Sequence, residues 1–145
     1  MGKRFELERG GVWTDVENNI LAIKSLGLPN LKISIMPAIS IMNVLYINEV
    51  VEWAKQQEFP VFVSHVVYPI GFGLDYLTLD AKQLILNKHK NNPWSEMQSI
   101  LEHVQAVTPT NGQAFCKLTE HFDKLRNENF SETHADIAFA MGYKL

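Results

Sequence analysis

Three short polar clusters lie where apolar runs end, and they are the places in this 145-residue chain where chemistry can be sought. The first is Arg9-Gly10-Gly11. Glycines let backbone approach a ligand closely, and the Arg9 fork of N–H donors suits a carboxylate. The second is Ser40 with Asn43, the latter inside Ile41-Met42-Asn43-Val44-Leu45. Its amide both donates and accepts, which suits a zwitterionic ligand. The third is Ser64-His65 with Tyr68, where an imidazole among valines can be a base, a ligand or a hydrogen-bonded core residue. Each cluster also has a structural alternative. Arg9 can be a solvated strand end, and Asn43 can simply shape a strand-to-helix turn.

Other reaction classes lack their residues. No H-E-x-x-H, G-x-S-x-G, G-x-x-x-x-G-K or G-x-G-x-x-G pattern is present, and Gly71-Phe72-Gly73 lacks the third glycine of a phosphate-binding turn. His89, His103, His121 and His134 are dispersed, so no metal is expected from them. His121 and Asp123 diverge on a helix, and Asp123 with Arg126 reads as a surface pair at i, i+3. Cys116 is the only cysteine, beside the Phe115 and Leu118 stripe, and reads as a buried inert thiol. A formal net charge of -3 provides no basic field for nucleic acid. With no membrane-length apolar run and no secretory leader, the cytoplasm is the expected location.

The elements that would position these clusters alternate. Phe5 to Arg9 reads as a strand, followed by a helix opened by a Thr14/Glu17 capping box. Residues 31–41 read as a second strand, blemished by Pro37, which cannot donate to a ladder. A helix from about Asn48 to Gln57 and a strand after Pro60, Val61 to Val67, complete the series. Ser64 and His65 then face opposite sides. The expected fold class is α/β: a partial parallel, TIM-barrel-like βαβ sheet over residues 1–75, followed by a helical C-terminal tail over residues 76–145. In the tail Thr78 caps one helix, Asn92-Pro93 opens another, and two more follow around Phe115–Leu125 and Ser131–Met141. At the carboxyl ends of parallel strands, loops present polar groups to ligands. Three strands do not hide both edges of a parallel sheet, which implies a missing portion, a partner or a second copy.

Arg9-Gly10-Gly11-Val12-Trp13, leading into a helix with Asn18-Asn19-Ile20, resembles part of a known family. So does Ile39-Ser40-Ile41-Met42-Asn43-Val44-Leu45-Tyr46, leading into Glu49-Val50-Val51-Glu52-Trp53. Both resemble the second half of the radical SAM barrel in proteins with a shortened SPASM, or twitch, C-terminal region. Leu79 through Lys82 and Asp123-x-x-Arg126-x-x-x-Phe130 resemble the helical close of those proteins. The family holds a 4Fe-4S cluster on a C-x-x-x-C-x-x-C loop, which is absent here, so the chain is not expected to be active alone. The resemblance implies that Asn43, with Ser40 nearby, contacts S-adenosylmethionine, that Arg9 serves its carboxylate, and that Ser64 or His65 lies toward the substrate. The cluster would come from a partner or a separate N-terminal part. Asn43→Ala would then abolish activity of a reconstituted complex while leaving folding intact. The alternative is a non-catalytic binding or assembly domain derived from such an enzyme, its open edge covered by another protein or a second copy.

Overall fold

The computed structural model describes residues 2–143, so the last two residues of the expected tail lie outside it. Helix dominates: α1 (Lys3–Arg9), α2 (Trp13–Ser25), α3 (Ile47–Gln56), α4 (Leu79–His89), α5 (Ser95–Ala106), α6 (Gln113–Arg126), α7 (Phe130–Thr133) and α8 (Ala135–Ala140). Among the described residues the sheet is two strands, β1 (Ala38–Ile39) and β2 (Ser64–His65). They run parallel, with Ala38 opposite Ser64 and Ile39 opposite His65, and one bridge joins Ile35 to Val61. The partial TIM-barrel-like α/β sheet expected from the sequence is therefore not what this chain forms. One β1–α3–β2 crossover survives from it.

Two local causes account for the difference. The segment Lys-Arg-Phe-Glu-Leu-Glu-Arg, expected as a strand, is helix α1. It consists almost wholly of good helix formers, and a helix satisfies its own amides where a strand needs a neighbour. Pro37 then splits the remaining ladder. The Ile35 N–H donates to Pro60 O, and the carbonyls of Ile35, Pro37 and Ile39 accept from Phe62, Ser64 and Val66. A continuous ladder would need an N–H at residue 37, and proline has none. The pairing is left as a bridge followed by two residues per strand.

The helices supply most of the core. α4 buries Ala81, Ile85 and His89 at i, i+4 and i+8, and α5 packs against it through Met97, Ile100, Leu101 and Val104. Thr78 caps α4 as expected, its Oγ1 accepting from Ala81 N at 3.1 Å and donating to Ala140 O at 2.6 Å, which ties α4 to α8. Asn92 Oδ1 accepts from Trp94 N at 3.0 Å, just before α5 starts at Ser95. Phe115 of α6 and Phe130 of α7 are fully buried and meet edge-on, 5.5 Å between centroids. One apolar cluster runs from Leu7 through Ile39 and Val51 to Ile137, crossing the expected boundary between residues 75 and 76.

The Thr14/Glu17 box does not form. Val12 occupies the cap position of α2 without a side-chain bond, and Glu17 Oε1 accepts instead from Trp53 Nε1 at 2.6 Å. No α2 residue is buried. The two faces of the sheet are covered unequally. Ile39 is fully buried, while Met36 and Phe62, on the Ala38 and Ser64 face, are 65% and 56% exposed.

Candidate ligand cavities at the end of strand β1

The carboxyl end of β1 is shaped by one side chain. Asn43 Oδ1 accepts from Ser40 N at 2.9 Å, and its Nδ2 donates to Ala38 O at 2.9 Å and to Glu8 Oε2 at 3.2 Å. The amide thus takes up the outer edge of β1 much as a neighbouring strand's peptide group would, satisfying a donor and an acceptor two residues apart. Its bond to Glu8 fastens helix α1 to the same point. The turn-shaping role open from the sequence is realised, and one lone pair on Oδ1 remains for a ligand.

Helix α1 lies over this turn and is held from several directions. Arg126 Nη1 donates to Leu7 O at 3.2 Å, and Arg4 forms an ion pair with Glu49 while lying 4.0 Å over the Tyr46 ring. Lys88 Nζ lies 4.3 Å from the same ring centroid. Burial, reinforced by the negative Asp136, pushes the Tyr46 hydroxyl above its usual range, and burial lowers the Lys88 ammonium. Glu8 Oε1 lies 3.6 Å from Nε2 of His134, a fully buried imidazole stacked on Phe130 at 4.5 Å. That nitrogen has no hydrogen-bond partner among the described residues. The opposite one, Nδ1, lies 2.7 Å from Thr133 Oγ1.

Two cavities of about 200 Å³ each open on either side of the turn. The aromatic cavity lies between α1, α2, β1 and α3, walled by Phe5, Trp13, Ile20, Val50 and Trp53. Trp13 meets Phe5 and Trp53 edge-on at 5.2 and 5.1 Å. The polar cavity lies beyond β1 and is walled by Ser40, Tyr68, Phe72, Phe122 and Arg126. Glu8, Arg9, Ala38 and Asn43 belong to both walls. Arg9 has no ion pair or hydrogen bond among the described residues, so its guanidinium is available.

Arg9, Ser40 and Asn43 are therefore brought together at the polar cavity. Ser64 and His65 are not. Ser64 is exposed on the open face, and neither residue lines either cavity. His65 turns toward α5 and stacks on His103 at 4.4 Å, while His103 Nε2 lies 3.9 Å from Asp75 Oδ1. Burial, then the neighbouring His103, lowers the basicity of His65. The sequence reading missed Glu8 and Arg126. Taken as a strand, residues 5–9 aim Glu8 and Arg9 at opposite faces. As a helix, they let both reach the same cavities.

No family model, curated protein or solved structure matches the chain.

The remaining residues of interest have structural employment. Asp123 does not pair with Arg126: its Oδ2 accepts from Phe130 N at 2.9 Å and from Tyr143 Oη at 2.8 Å. Burial and this bond push the Tyr143 hydroxyl well above its ordinary range. Cys116 is half-buried, with Sγ 3.4 Å from Met141 O, and burial raises its pKa, which keeps the thiol protonated. Among the described residues no cluster of His, Cys, Asp and Glu is placed to hold a metal ion. No described helix is long and apolar enough to cross a membrane.

Proposed function

We propose that this chain contributes S-adenosylmethionine contacts to a radical SAM enzyme whose 4Fe-4S cluster is held by a separate N-terminal part or partner. The observation that carries the reading is the convergence of Arg9, Ser40 and Asn43 on one cavity at the carboxyl end of β1. The donor set suits the cofactor's amino-acid end. The unpaired Arg9 guanidinium can take its carboxylate, with Arg126 on the same wall. Asn43 has one Oδ1 lone pair left beside its bond from Ser40 N, and Tyr68 and Phe72 provide apolar surface. With Ser64 outside the cavity, a substrate role for it requires contact across the open sheet face, and His65 is placed on the opposite side.

The cluster does not fit this chain. One cysteine, engaged with Met141 O, cannot replace three. In such enzymes the cluster reductively cleaves S-adenosylmethionine to give a carbon radical. The part derived for this chain is to bind, orient and cover.

The second reading, a non-catalytic binding or assembly domain, is favoured by the sheet face on which Met36 and Phe62 are exposed and by α2, in which no residue is fully buried. Parallel sheets normally have both faces covered. Both readings include a partner or second copy, and ligand binding separates them. Equilibrium dialysis of S-adenosylmethionine against the chain should show saturable binding that Arg9→Ala weakens, at unchanged helicity. Binding unaffected by Arg9→Ala would overturn the cofactor assignment. Concentration-dependent self-association without any such binding would favour the assembly domain.

A further inference from the structure

We propose that the aromatic cavity holds a free α-amino acid with an aromatic or branched apolar side chain. The body of the ligand follows from the walls. Phe5, Trp13, Ile20, Val50 and Trp53 offer ring faces, ring edges and aliphatic surface in about 200 Å³. That is below the ~300 Å³ at which drug-sized pockets begin, and suits one amino-acid side chain.

The head group follows from the charges. Arg4 is already paired with Glu49 and lies against Tyr46, so it adds no free cation. Arg9 has no ion pair or hydrogen bond among the described residues and lines the cavity. Glu8 also lines it and is held in place, Oε2 by the Asn43 amide and Oε1 beside the buried His134. An ionised carboxylate has about four lone-pair sites, so these neighbours leave room for an ammonium group. Consecutive helical residues project about 100° apart, so the two charges reach the cavity from different sides. An α-amino acid carries the complementary ammonium and carboxylate on one carbon. A simple amine or acid leaves one protein charge without a counterpart, and the interior of a peptide leaves both.

This reading does not depend on S-adenosylmethionine. Arg9 lines both cavities, and its five N–H donors can serve a carboxylate on each side.

Trp13 and Trp53 make their emission a direct reporter, and calorimetry gives an independent one. Titration of the full chain with L-phenylalanine or L-leucine should give saturable binding. Phenethylamine and 3-phenylpropionate, each lacking one charge, should bind about 10- to 100-fold more weakly, the range for losing one charged hydrogen-bonded contact. Arg9→Ala should weaken L-phenylalanine by a similar factor while leaving phenethylamine unchanged. Glu8→Gln, which keeps an acceptor for Asn43, should do the converse with 3-phenylpropionate. L-phenylalanine binding no tighter than either analogue, insensitivity to Arg9→Ala, or no binding by either method overturns the proposal. S-adenosylmethionine, titrated separately, distinguishes the two sites: its binding without an L-phenylalanine response removes only this inference, and the reverse result removes only the cofactor reading.

Discussion

Replacing Asn43 by alanine removes three hydrogen bonds at one point and leaves the Ser40 N–H, in a residue only 7% exposed, without its acceptor. Each neutral bond contributes about 0.5–1.5 kcal/mol, and an unsatisfied buried donor costs about 1–3 kcal/mol. Because the losses overlap and Glu8 remains partly solvated, the expected destabilisation is about 2–4 kcal/mol. At about 2–4 °C per kcal/mol for a chain near this size, the melting temperature falls by roughly 4–16 °C. Urea unfolding should show a lower midpoint at unchanged slope. Asn43→Asp keeps an acceptor for Ser40, removes the donor to Ala38 and sets a second carboxylate against Glu8, so it should recover little. A loss under about 0.5 kcal/mol in the alanine variant would refute the claim that the amide holds the strand edge. It would restore the expectation that folding is indifferent to this residue, so that lost activity would report ligand contact alone.

The pH dependence of stability has a defined sign. His89 is buried, with Nε2 3.1 Å from Leu45 O, and burial followed by Lys88 lowers its pKa; His65 is lowered likewise. The unfolded chain takes up these protons first, so stability present above pH ~6.5 is lost as pH falls through the folded-state values. Urea titrations between pH 7.5 and 5 should show this decline, and His89→Gln should flatten it. Gly112 has φ 71°, and a Cβ there would lie 2.7 Å from Met141 O and 2.8 Å from Thr78 Cγ2. Gly112→Ala should cost about 2–4 kcal/mol in thermal unfolding, combining left-handed strain with overpacking. Phe115→Ala, which empties a fully buried ring site between Phe72 and Phe130, should cost about 3–5 kcal/mol by the same measurement.

What could be read from the sequence was local. α3 was expected from about Asn48 and spans Ile47–Gln56, and the Thr78 cap of α4 is present with its side-chain bond. Those signals depend on neighbours within one turn, where periodicity and capping are decisive. The error at residues 5–9 has a different origin. Phe5 and Leu7 alternate as a strand would, but a strand needs a partner edge, and the Asn43 amide occupies that position on β1. Asn43 stood out because an amide is conspicuous in an apolar run, and Arg9 because a guanidinium precedes two glycines. Glu8 was overlooked because its role rests on contacts to Asn43 and His134, far away in sequence. Ser64 and His65 were rightly placed on opposite faces, but which face carries a cavity depends on where α1 lies.

Whether this chain serves a radical SAM enzyme is decided by the iron and sulfide content of the species that carries it, isolated anaerobically from its native source. The expected species is a complex, or a longer polypeptide, containing this sequence together with a 4Fe-4S cluster that reductively cleaves S-adenosylmethionine. This chain recovered with no iron and no partner would contradict it.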